Sequence, residues 1–165
     1  MEMRNRNILI TGAAGFIGSH LADRLAADDH LLLVDDFSIG KRENLAQLAD
    51  KSNVRIVKAD ITDRPRMHEL CKDMDVVFHL AISCLRTSIA RPEMSHDINA
   101  GGTLNVLMAA RAAGIPARDV YGIRVRPSAF GYKALGAGTA NITGAQHCRA
   151  EVFLRAVIDR SHALG

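Results

Sequence analysis

The chain has 165 residues, 48% of them hydrophobic and 24% charged, a composition that suits one globular domain with a buried core and excludes a disordered segment. The net charge of +3 comes from 21 basic and 18 acidic residues spread along the chain. This spread, and the lack of any apolar run near the roughly 18 residues of a membrane span, argue against nucleic-acid and membrane partners. Cys71, Cys84 and Cys148 form no Cys-x-x-Cys pair, which predicts no structural metal and a reducing, cytoplasmic location.

In chain order, short apolar runs alternate with segments of helical length, a pattern typical of βαβ units around a parallel sheet. We expect an α/β fold with a Rossmann-like, doubly wound sheet of about five strands, in one domain over residues 1–165 that is irregular over 126–144 and helical within 145–165. The predicted strands are 7–11, 30–35, 54–58, 76–80 and 120–125. The predicted helices are 16–27, 42–49, 65–72, 93–113 and 150–161.

A glycine-rich segment joins the first predicted strand to the first helix, and it has the spacing Gly-x-x-Gly-x-x-Gly. Glycine there permits a tight turn, close approach to a pyrophosphate and close helix packing, while the helix N-terminus offers free N–H groups. This context indicates a dinucleotide-binding loop, although a glycine-rich turn without a ligand is the alternative. The predicted phosphate-binding residues are Gly12, Ala14, Gly15, Phe16, Ile17 and Gly18.

A carboxylate pair, Asp35 and Asp36, ends the second predicted strand, and Asp35 lies 20 residues beyond Gly15. A carboxylate at this distance accepts hydrogen bonds from the adenosine ribose hydroxyls of a dinucleotide. It would repel the 2′-phosphate of NADP, at a cost of roughly 1 to 4 kcal/mol at contact. We therefore predict that both residues bind the cofactor and that the cofactor is NAD, a preference that the nearby Lys41 and Arg42 could weaken.

With these residues in view, the chain resembles the extended short-chain dehydrogenase/reductase superfamily, and within it the NAD-dependent nucleotide-sugar epimerases and dehydratases. The resemblance covers about residues 7–114 and rests on several motifs together. Besides the glycine loop with Ser19-His20, they are Val34-Asp35-Asp36-Phe37-Ser38-Ile39-Gly40-Lys41, Ala59-Asp60-Ile61-Thr62-Asp63, Val77-Phe78-His79-Leu80-Ala81 and Asn99-Ala100-Gly101-Gly102-Thr103-Leu104-Asn105.

The resemblance also implies roles for residues farther along the chain. Asp60 and Ile61 would flank the adenine, and Asn99 would brace the active site. The alternatives are a cap on the approach to the next helix for Asp60 and a satisfied interior amide for Asn99. The residues that would line the cofactor beyond the fourth strand are Leu80, Ala81 and Ile82.

For three residues of these motifs we predict packing against other parts of the protein and no contact with a ligand. His79 is expected to pack in the sheet and not to bind a metal. Gly101 and Gly102 each cost about 1 kcal/mol relative to alanine in a helix, which predicts close packing against another element.

The chain departs from the family in its catalytic residues. The resemblance implies a Ser or Thr after the fifth strand and a Tyr-x-x-x-Lys pair, but four residues beyond Tyr121 and Tyr132 stand Val125 and Gly136. One hypothesis is that reading-frame slips altered the segment between about 115 and 150. The residues aligned with the catalytic positions are Thr143 for the tyrosine, His147 for the lysine and Ser128 for the serine.

Two functions therefore stand open. The chain is either the NAD-binding domain of a nucleotide-sugar epimerase or dehydratase, truncated before the C-terminal substrate domain, or a non-catalytic NAD-binding module. The resemblance implies a nucleotide sugar as the substrate. It also implies a homodimer through helices 94–113 and 150–161, which would bury Leu104, Leu107 and Phe153.

Overall fold

Five parallel strands form the central sheet. The computed structural model describes residues 5–122, 132–133 and 141–142. The strands are β1 (Asn7–Thr11), β2 (His30–Asp35), β3 (Val54–Lys58), β4 (Val76–His79) and β5 (Val120–Gly122). They lie in the order β3-β2-β1-β4-β5, which confirms the predicted Rossmann-like sheet. The fourth strand ends one residue earlier than predicted, and residues 123–125 of the fifth lie outside the described residues.

Apolar side chains cover both faces of this sheet, because a parallel sheet in an α/β fold is buried on both sides. Successive side chains of a strand point to opposite faces, so Ile8 and Ile10 of β1 enter one core while Leu9 enters the other. Helix α1 (Phe16–Leu25) covers the first face. Helix α2 (Arg64–Leu70) covers the second.

The start of α2 shows how local sequence sets a helix boundary. The carboxylate of Asp63 accepts a hydrogen bond from the N–H of Arg66 at 3.0 Å, and Pro65 occupies the first turn. An aspartate cap satisfies one of the unpaired N–H groups of a helix start, and proline there costs no hydrogen bond. These two residues fix where α2 begins after β3.

The predicted helix over 42–49 is a 3₁₀-helix, Arg42–Leu48. Its start is tied to the glycine loop, because the N–H of Lys41 and the side-chain amide of Asn44 both donate to the carbonyl of Ala14, at 3.2 Å and 2.8 Å. Leu45 and Leu48 are buried and hold the segment in the core. The sequence predicted the position of this helix correctly. It did not predict that the helix is wound as a 3₁₀-helix, which is tighter than an α-helix and accompanies these contacts with the glycine loop.

The chain between β4 and β5 contains an α-helix that was not predicted, an interrupted helix, and a short unpredicted 3₁₀-helix, Ala117–Asp119. Helix α3 (Leu85–Ala90) buries none of its residues, so no apolar periodicity marks it in the sequence. The predicted helix over 93–113 is divided into α4 (Pro92–His96), a π-helical turn (Asp97–Gly102) and α5 (Thr103–Ala112). A π turn inserts one extra residue into a helix and is frequent at functional sites.

Residues 126–144, predicted to be irregular, contain two paired antiparallel strands of two residues each, Tyr132–Lys133 and Asn141–Ile142. A hairpin this short leaves no alternation of side chains that a sequence pattern could reveal. The predicted helix over 150–161 and Phe153 lie outside the described residues. In the part of the chain that the structure describes, no helix is long and apolar enough to cross a membrane.

Candidate functional site

The glycine loop lies between β1 and α1 and packs against the segment that follows β4. Gly12 has a φ angle of +68°, and a Cβ atom built on it would stand 2.6 Å from the backbone nitrogen of Ala81 and 2.7 Å from the carbonyl carbon of Leu80. Neither of these backbone atoms can move aside. A Cβ on Gly18 would meet the carbonyl oxygen of Gly12 and, at 2.7 Å, the Cα of Ala13. Both glycines are therefore required by the fold, as the predicted tight turn and helix packing demand.

Gly15 differs from these two glycines. Its φ angle of −74° suits any residue, and a Cβ on it would meet one atom within 4 Å, the carbonyl oxygen of Gly12 at 3.2 Å. Gly15 is also the N-cap of α1, where no side chain caps the helix. The first N–H groups of α1 consequently have no partner within the helix, which is the arrangement that binds anions at helix N-termini.

Asp35 lies at the carboxyl end of β2, next to the loop. One carboxylate oxygen accepts a hydrogen bond from the N–H of Ala14 at 2.8 Å, and the other accepts one from the N–H of Phe37 at 2.8 Å. The residue is only 8% exposed, yet it lines the cleft described below. A carboxylate has about four acceptor positions, so Asp35 can brace the loop and still accept hydrogen bonds from a ligand.

The residues after Asp35 form a second turn. One carboxylate oxygen of Asp36 accepts hydrogen bonds from the N–H and the hydroxyl of Ser38, at 2.9 Å and 2.7 Å. The guanidinium of Arg42 lies 4.2 Å from the centre of the Phe37 ring. This cation–π contact gives Arg42 a structural role. That role is separate from the earlier expectation that Arg42 could weaken the preference for NAD over NADP.

The turn after β3 brings Asp60 and Ile61 to the same edge of the sheet. The carboxylate of Asp60 accepts a hydrogen bond from the N–H of Thr62 at 2.8 Å, so Asp60 shapes this turn while Asp63 caps the helix. The side chain of Asn105 donates to the carbonyls of Ile61 and Thr62, both at 3.1 Å. Helix α5 therefore holds the turn in place against the sheet.

His79 ends β4 in a partly buried chain of hydrogen bonds. Its Nδ1 lies 2.8 Å from the hydroxyl of Thr11, and its Nε2 lies 2.9 Å from the hydroxyl of Thr103. Because Thr103 donates to the carbonyl of Asn99 at 2.6 Å, its oxygen accepts from Nε2–H, and Nδ1 then accepts from Thr11. Burial lowers the pKa of His79 from 6.5 to about 4. The predicted packing in the sheet is confirmed, with this neutral ring linking β1, β4 and α5.

Asn99, in the π turn, fixes the segment after β4. Its side-chain oxygen accepts from the N–H of Ser83 at 2.7 Å, and its amide donates to the hydroxyl of Ser95 at 3.1 Å. Asn99 is exposed, so the alternative of an interior amide does not describe it. It holds the residues next to the cleft without lining the cleft itself.

The two glycines of the π turn, Gly101 and Gly102, differ in how closely they pack against neighbouring residues. A Cβ on Gly102 would lie 2.5 Å from Cδ1 and 2.6 Å from Cγ1 of Ile61, whereas a Cβ on Gly101 would meet nothing within 4 Å. The predicted close packing is therefore confirmed for Gly102 and wrong for Gly101. A helix presents only one face to its neighbour, and adjacent residues are about 100° apart around its axis.

A cleft of about 770 Å³ runs along the carboxyl ends of the strands. It connects the glycine loop, the end of β2, the turn after β3 and the segment after β4. It contains most of the predicted cofactor-binding residues, whereas Ala14, Phe16, Ile17, Gly18 and Asn99 do not line it. The strand order reverses direction between β1 and β4, and clefts at such positions bind ligands in open α/β sheets. The predicted residues in the cleft are Gly12, Gly15, Asp35, Asp36, Asp60, Ile61, Leu80, Ala81 and Ile82.

Several cleft residues were not found by sequence reasoning. Most of them follow β4, either in or beside the unpredicted helix α3 or in α4 and the π turn. Their place directly after a central strand was the available signal, because the carboxyl ends of parallel strands meet at one edge. The additional residues after β4 are Ser83, Cys84, Thr87, Arg91, Met94, Asp97 and Ile98.

The proposed catalytic substitutes, Thr143, His147 and Ser128, lie outside the described residues. Tyr121 belongs to β5, where its ring stacks on Phe78 with the ring centres 5.1 Å apart. Among the described residues, no group of three or more His, Cys, Asp or Glu side chains could hold a metal ion. The cleft therefore has the glycine loop and the Asp35 carboxylate in its wall, and its described walls contain no Tyr-Lys pair.

Comparison with known proteins agrees with this geometry. The model of the NAD dependent epimerase/dehydratase family matches residues 8–147. The chain is 42% identical over 110 residues to UDP-glucose 4-epimerase from Mycolicibacterium smegmatis, an alignment that covers 65% of this chain and 35% of that protein.

Two solved structures are similar in fold and in sequence. One is UDP-N-acetylglucosamine 4-epimerase from Methanobrevibacter ruminantium in complex with UDP-N-acetylmuramic acid, with a TM-score of 0.67 and 27% identity, covering 98% of this chain and 52% of that one. The other is dTDP-glucose 4,6-dehydratase from Streptomyces venezuelae with NAD and TYD bound, with a TM-score of 0.66 and 26% identity, covering 94% and 50%. The chain thus spans about half the length of these structures. Since the family model matches most of its residues, the protein belongs to the NAD dependent epimerase/dehydratase family.

Proposed function

We propose that this chain is the NAD-binding part of a nucleotide-sugar epimerase or dehydratase. The observation that carries the proposal is a single cleft at the reversal of strand order, which brings together Gly15 at an uncapped helix start and Asp35 at the end of β2. Bound NAD would supply a reversible hydride acceptor for a sugar carbon. We also propose that residues 1–165 form one domain and that the protein is cytoplasmic, in keeping with the free thiols of Cys71 and Cys84.

The residues of the cleft suit each part of NAD. The N–H groups at the start of α1 would donate to the pyrophosphate, and the absent side chain of Gly15 would let the phosphates approach the backbone. Asp35 would accept hydrogen bonds from the adenosine ribose. Asp60 and Ile61 would flank the adenine, while Leu80, Ala81 and Ile82 would line the cleft beyond β4.

Calorimetric titration with NAD and NADP tests the cofactor assignment. We expect NAD to bind with a micromolar to millimolar dissociation constant and NADP to bind more weakly, because its 2′-phosphate would meet the Asp35 carboxylate. An Asp35→Asn variant should narrow the difference between the two cofactors. An Asp50→Asn variant, which removes one charge from an exposed residue outside the cleft, should leave the difference intact. Equal binding of NAD and NADP by the unaltered protein would contradict the assignment.

The relatives support a proposal for the substrate class. Of the proteins compared above, one is a UDP-glucose 4-epimerase and another was solved with a UDP-sugar bound. We propose that the whole protein acts on a UDP- or dTDP-sugar. Equilibrium dialysis of the NAD-loaded whole protein against radiolabelled UDP-glucose and dTDP-glucose measures sugar binding, and no retention of either sugar above that of free glucose would contradict the substrate class.

A non-catalytic NAD-binding module is the second candidate. It is favoured by the absence of Tyr-x-x-x-Lys from the sequence and by Tyr121, which is stacked on a core residue and therefore not in the cleft wall. The two candidates share the cofactor and differ in turnover. An assay of the purified chain with NAD and nucleotide sugars separates them.

A homodimer is proposed on the exposed face of α5. Leu104 is 58% exposed and Leu107 is 46% exposed, and the two lie three residues apart on one side of the helix. Large apolar side chains grouped in this way are typical of an interface. Light scattering should show a dimer that a Leu104→Glu, Leu107→Glu variant loses, and a monomer at high concentration would count against the proposal.

A further inference from the structure

The backbone of Ala14, just before the start of α1, is held by groups at the end of β2 and in the segment that follows it. The side-chain amide of Asn44 donates to the Ala14 carbonyl at 2.8 Å, and the backbone N–H of Lys41 donates to it at 3.2 Å. The N–H of Ala14 donates in turn to the carboxylate of Asp35 at 2.8 Å. Both backbone groups of Ala14 therefore have partners outside the glycine loop.

The segment around Asn44 is itself fixed against the loop. A Cβ atom built on Gly40 would stand 2.8 Å from the Cβ of Ala14 and 2.9 Å from its carbonyl carbon, so the two segments are in close contact. Ala14 is fully buried, and Leu45 and Leu48 anchor the 3₁₀-helix in the core. The side chain of Asn44 therefore reaches the loop from an element with little freedom to move.

The peptide that joins Ala14 to Gly15 is the one that needs such a restraint. A rotation of this peptide plane changes the φ angle of Gly15, which is −74° in the structure, and glycine adopts positive φ angles as readily as negative ones. The N–H of this peptide makes one hydrogen bond, to the carbonyl of Gly12 at 3.2 Å. The missing side chain that would let a phosphate approach thus also leaves the peptide before Gly15 free to rotate.

We propose that Asn44 is a positioning residue for NAD, which holds the Ala14–Gly15 peptide in the orientation that the phosphates require. The inference rests on the proposed function, because the N–H groups at the start of α1 are the proposed donors to the pyrophosphate. Gly15 directly precedes these groups, so the orientation of its peptide sets where they point. A loop that is ordered before the ligand arrives binds it more tightly, because less conformational freedom is lost on binding.

Gln47 provides a matched control in the same 3₁₀-helix. Its side-chain amide donates to both carboxylate oxygens of Asp23, at 2.9 Å and 2.8 Å, and to the carbonyl of Asn44 at 3.3 Å. Gln47 therefore ties the 3₁₀-helix to the C-terminal half of α1 and makes no contact with the glycine loop. Asn44 and Gln47 are both exposed, so substitution of either residue leaves the core intact. Only the loss of the Asn44 amide releases the Ala14 carbonyl.

Amide hydrogen exchange of the full chain, followed by NMR without cofactor, tests the restraint. The variants are Asn44→Leu and Gln47→Met, which remove the donor and nearly keep the shape of the side chain. Rates are compared with that of the N–H of Leu9 in β1, which reports the opening of the whole fold.

Relative to Leu9, the N–H groups of Ala14 and Gly15 should exchange about fivefold or more faster once the Asn44 hydrogen bond is lost. The Gln47→Met variant should exchange at these positions as the unaltered protein does. Unchanged relative rates at both positions in Asn44→Leu would overturn the proposal. An equal rise at Leu9 would overturn it as well, because Asn44 would then only stabilise the fold.

Calorimetric titration with NAD tests the consequence for binding. We expect Asn44→Leu to bind NAD about fivefold or more weakly, and Gln47→Met to bind it as tightly as the unaltered protein does. Undiminished affinity in Asn44→Leu, or the same loss in both variants, would overturn the positioning role and leave the proposed function standing. If the unaltered protein binds no NAD, the proposed function and the positioning role both fail, and the exchange rates still decide whether Asn44 holds the peptide.

Discussion

At the residue scale, two glycines of the same loop, Gly12 and Gly15, serve different purposes. Gly12 has a left-handed φ angle and faces backbone atoms closer than 3 Å, so the folded chain itself excludes a side chain there. Gly15 has an ordinary backbone conformation and one neighbour at 3.2 Å. The fold therefore constrains Gly15 less than Gly12, and the proposed function explains the glycine there by the approach of a pyrophosphate to the backbone.

A pair of substitutions separates these two purposes. Gly12→Ala should destabilise the fold by several kcal/mol, on the order of a severe core mutation, because neither the φ angle nor the neighbouring backbone can adapt. Gly15→Val should keep most of the stability and abolish NAD binding, because the valine side chain would occupy the position of the pyrophosphate. Urea unfolding and calorimetry measure the two effects. Equal loss of stability in both variants would contradict the distinction.

His79 gives the protein a predictable response to acid. Its pKa is about 4 in the folded state, below its ordinary value of 6.5, so the unfolded chain binds the proton more readily. The stabilisation is complete above the ordinary pKa and is lost as the pH falls from 6.5 through about 4. Once the pH is below both pKa values, the free energy of unfolding has fallen by roughly 3 kcal/mol because of this one group.

The test compares unfolding free energies across this pH range. The unaltered protein should lose more stability between neutral pH and pH 4 than a His79→Gln variant, since glutamine does not titrate. A His96→Gln variant, altered at an exposed histidine, should follow the unaltered protein. Parallel profiles for the unaltered protein and the His79→Gln variant would show that His79 does not titrate as the structure implies.

At the scale of elements, the helical run after β4 positions both walls of the cleft. Its π turn places Asn99 against the N–H of Ser83 on one side, and it packs Gly102 against Ile61 on the other. Asn105 of α5 then holds the turn after β3 through two carbonyls. This one run therefore connects the segment after β4 with the turn after β3, and both segments line the cleft.

The adjacent glycines of the π turn provide a matched test of this packing. Gly102→Ala should lower the free energy of unfolding by roughly 1 to 3 kcal/mol, because its methyl group would overlap the side chain of Ile61. Gly101→Ala should leave stability unchanged or raise it by up to about 1 kcal/mol, since alanine favours helix and the space is open. Chemical denaturation measures both. Identical effects at the two positions would contradict the described contact.

At the scale of the whole molecule, the residues proposed to bind the cofactor and those aligned with the family's catalytic positions lie in different parts of the chain. The glycine loop, Asp35 and the turn after β3 all lie within the described residues 5–122. The family's catalytic tyrosine and lysine have no counterpart at the required spacing in the sequence. NAD binding and sugar oxidation are therefore expected to separate in this polypeptide.

We predict that the purified chain binds NAD but does not oxidise nucleotide sugars at a useful rate. General-base catalysis contributes about 10² to 10⁴ in rate, and the hydroxyl of Thr143 is too weak an acid to replace a tyrosine activated by lysine. NADH absorbance and epimer formation from UDP-glucose measure turnover. Turnover that disappears in both Thr143→Val and His147→Ala variants would show instead that these two residues form an acid–base pair.

The sequence by itself determined the sheet, the glycine loop and the place of Asp35 at the end of the second strand. Buried parallel strands are continuous apolar runs, and a phosphate loop must use glycine at fixed spacing after a strand, so both leave local patterns. Only the tertiary structure decided that Asp35 also holds the N–H of Ala14, that His79 links Thr11 to Thr103, and that Ser83 and Cys84 line the cleft. The hydrogen bonds of Asp35 and His79 join residues that are 21 to 68 positions apart, and no local pattern records which distant side chains the folding of a parallel sheet brings together.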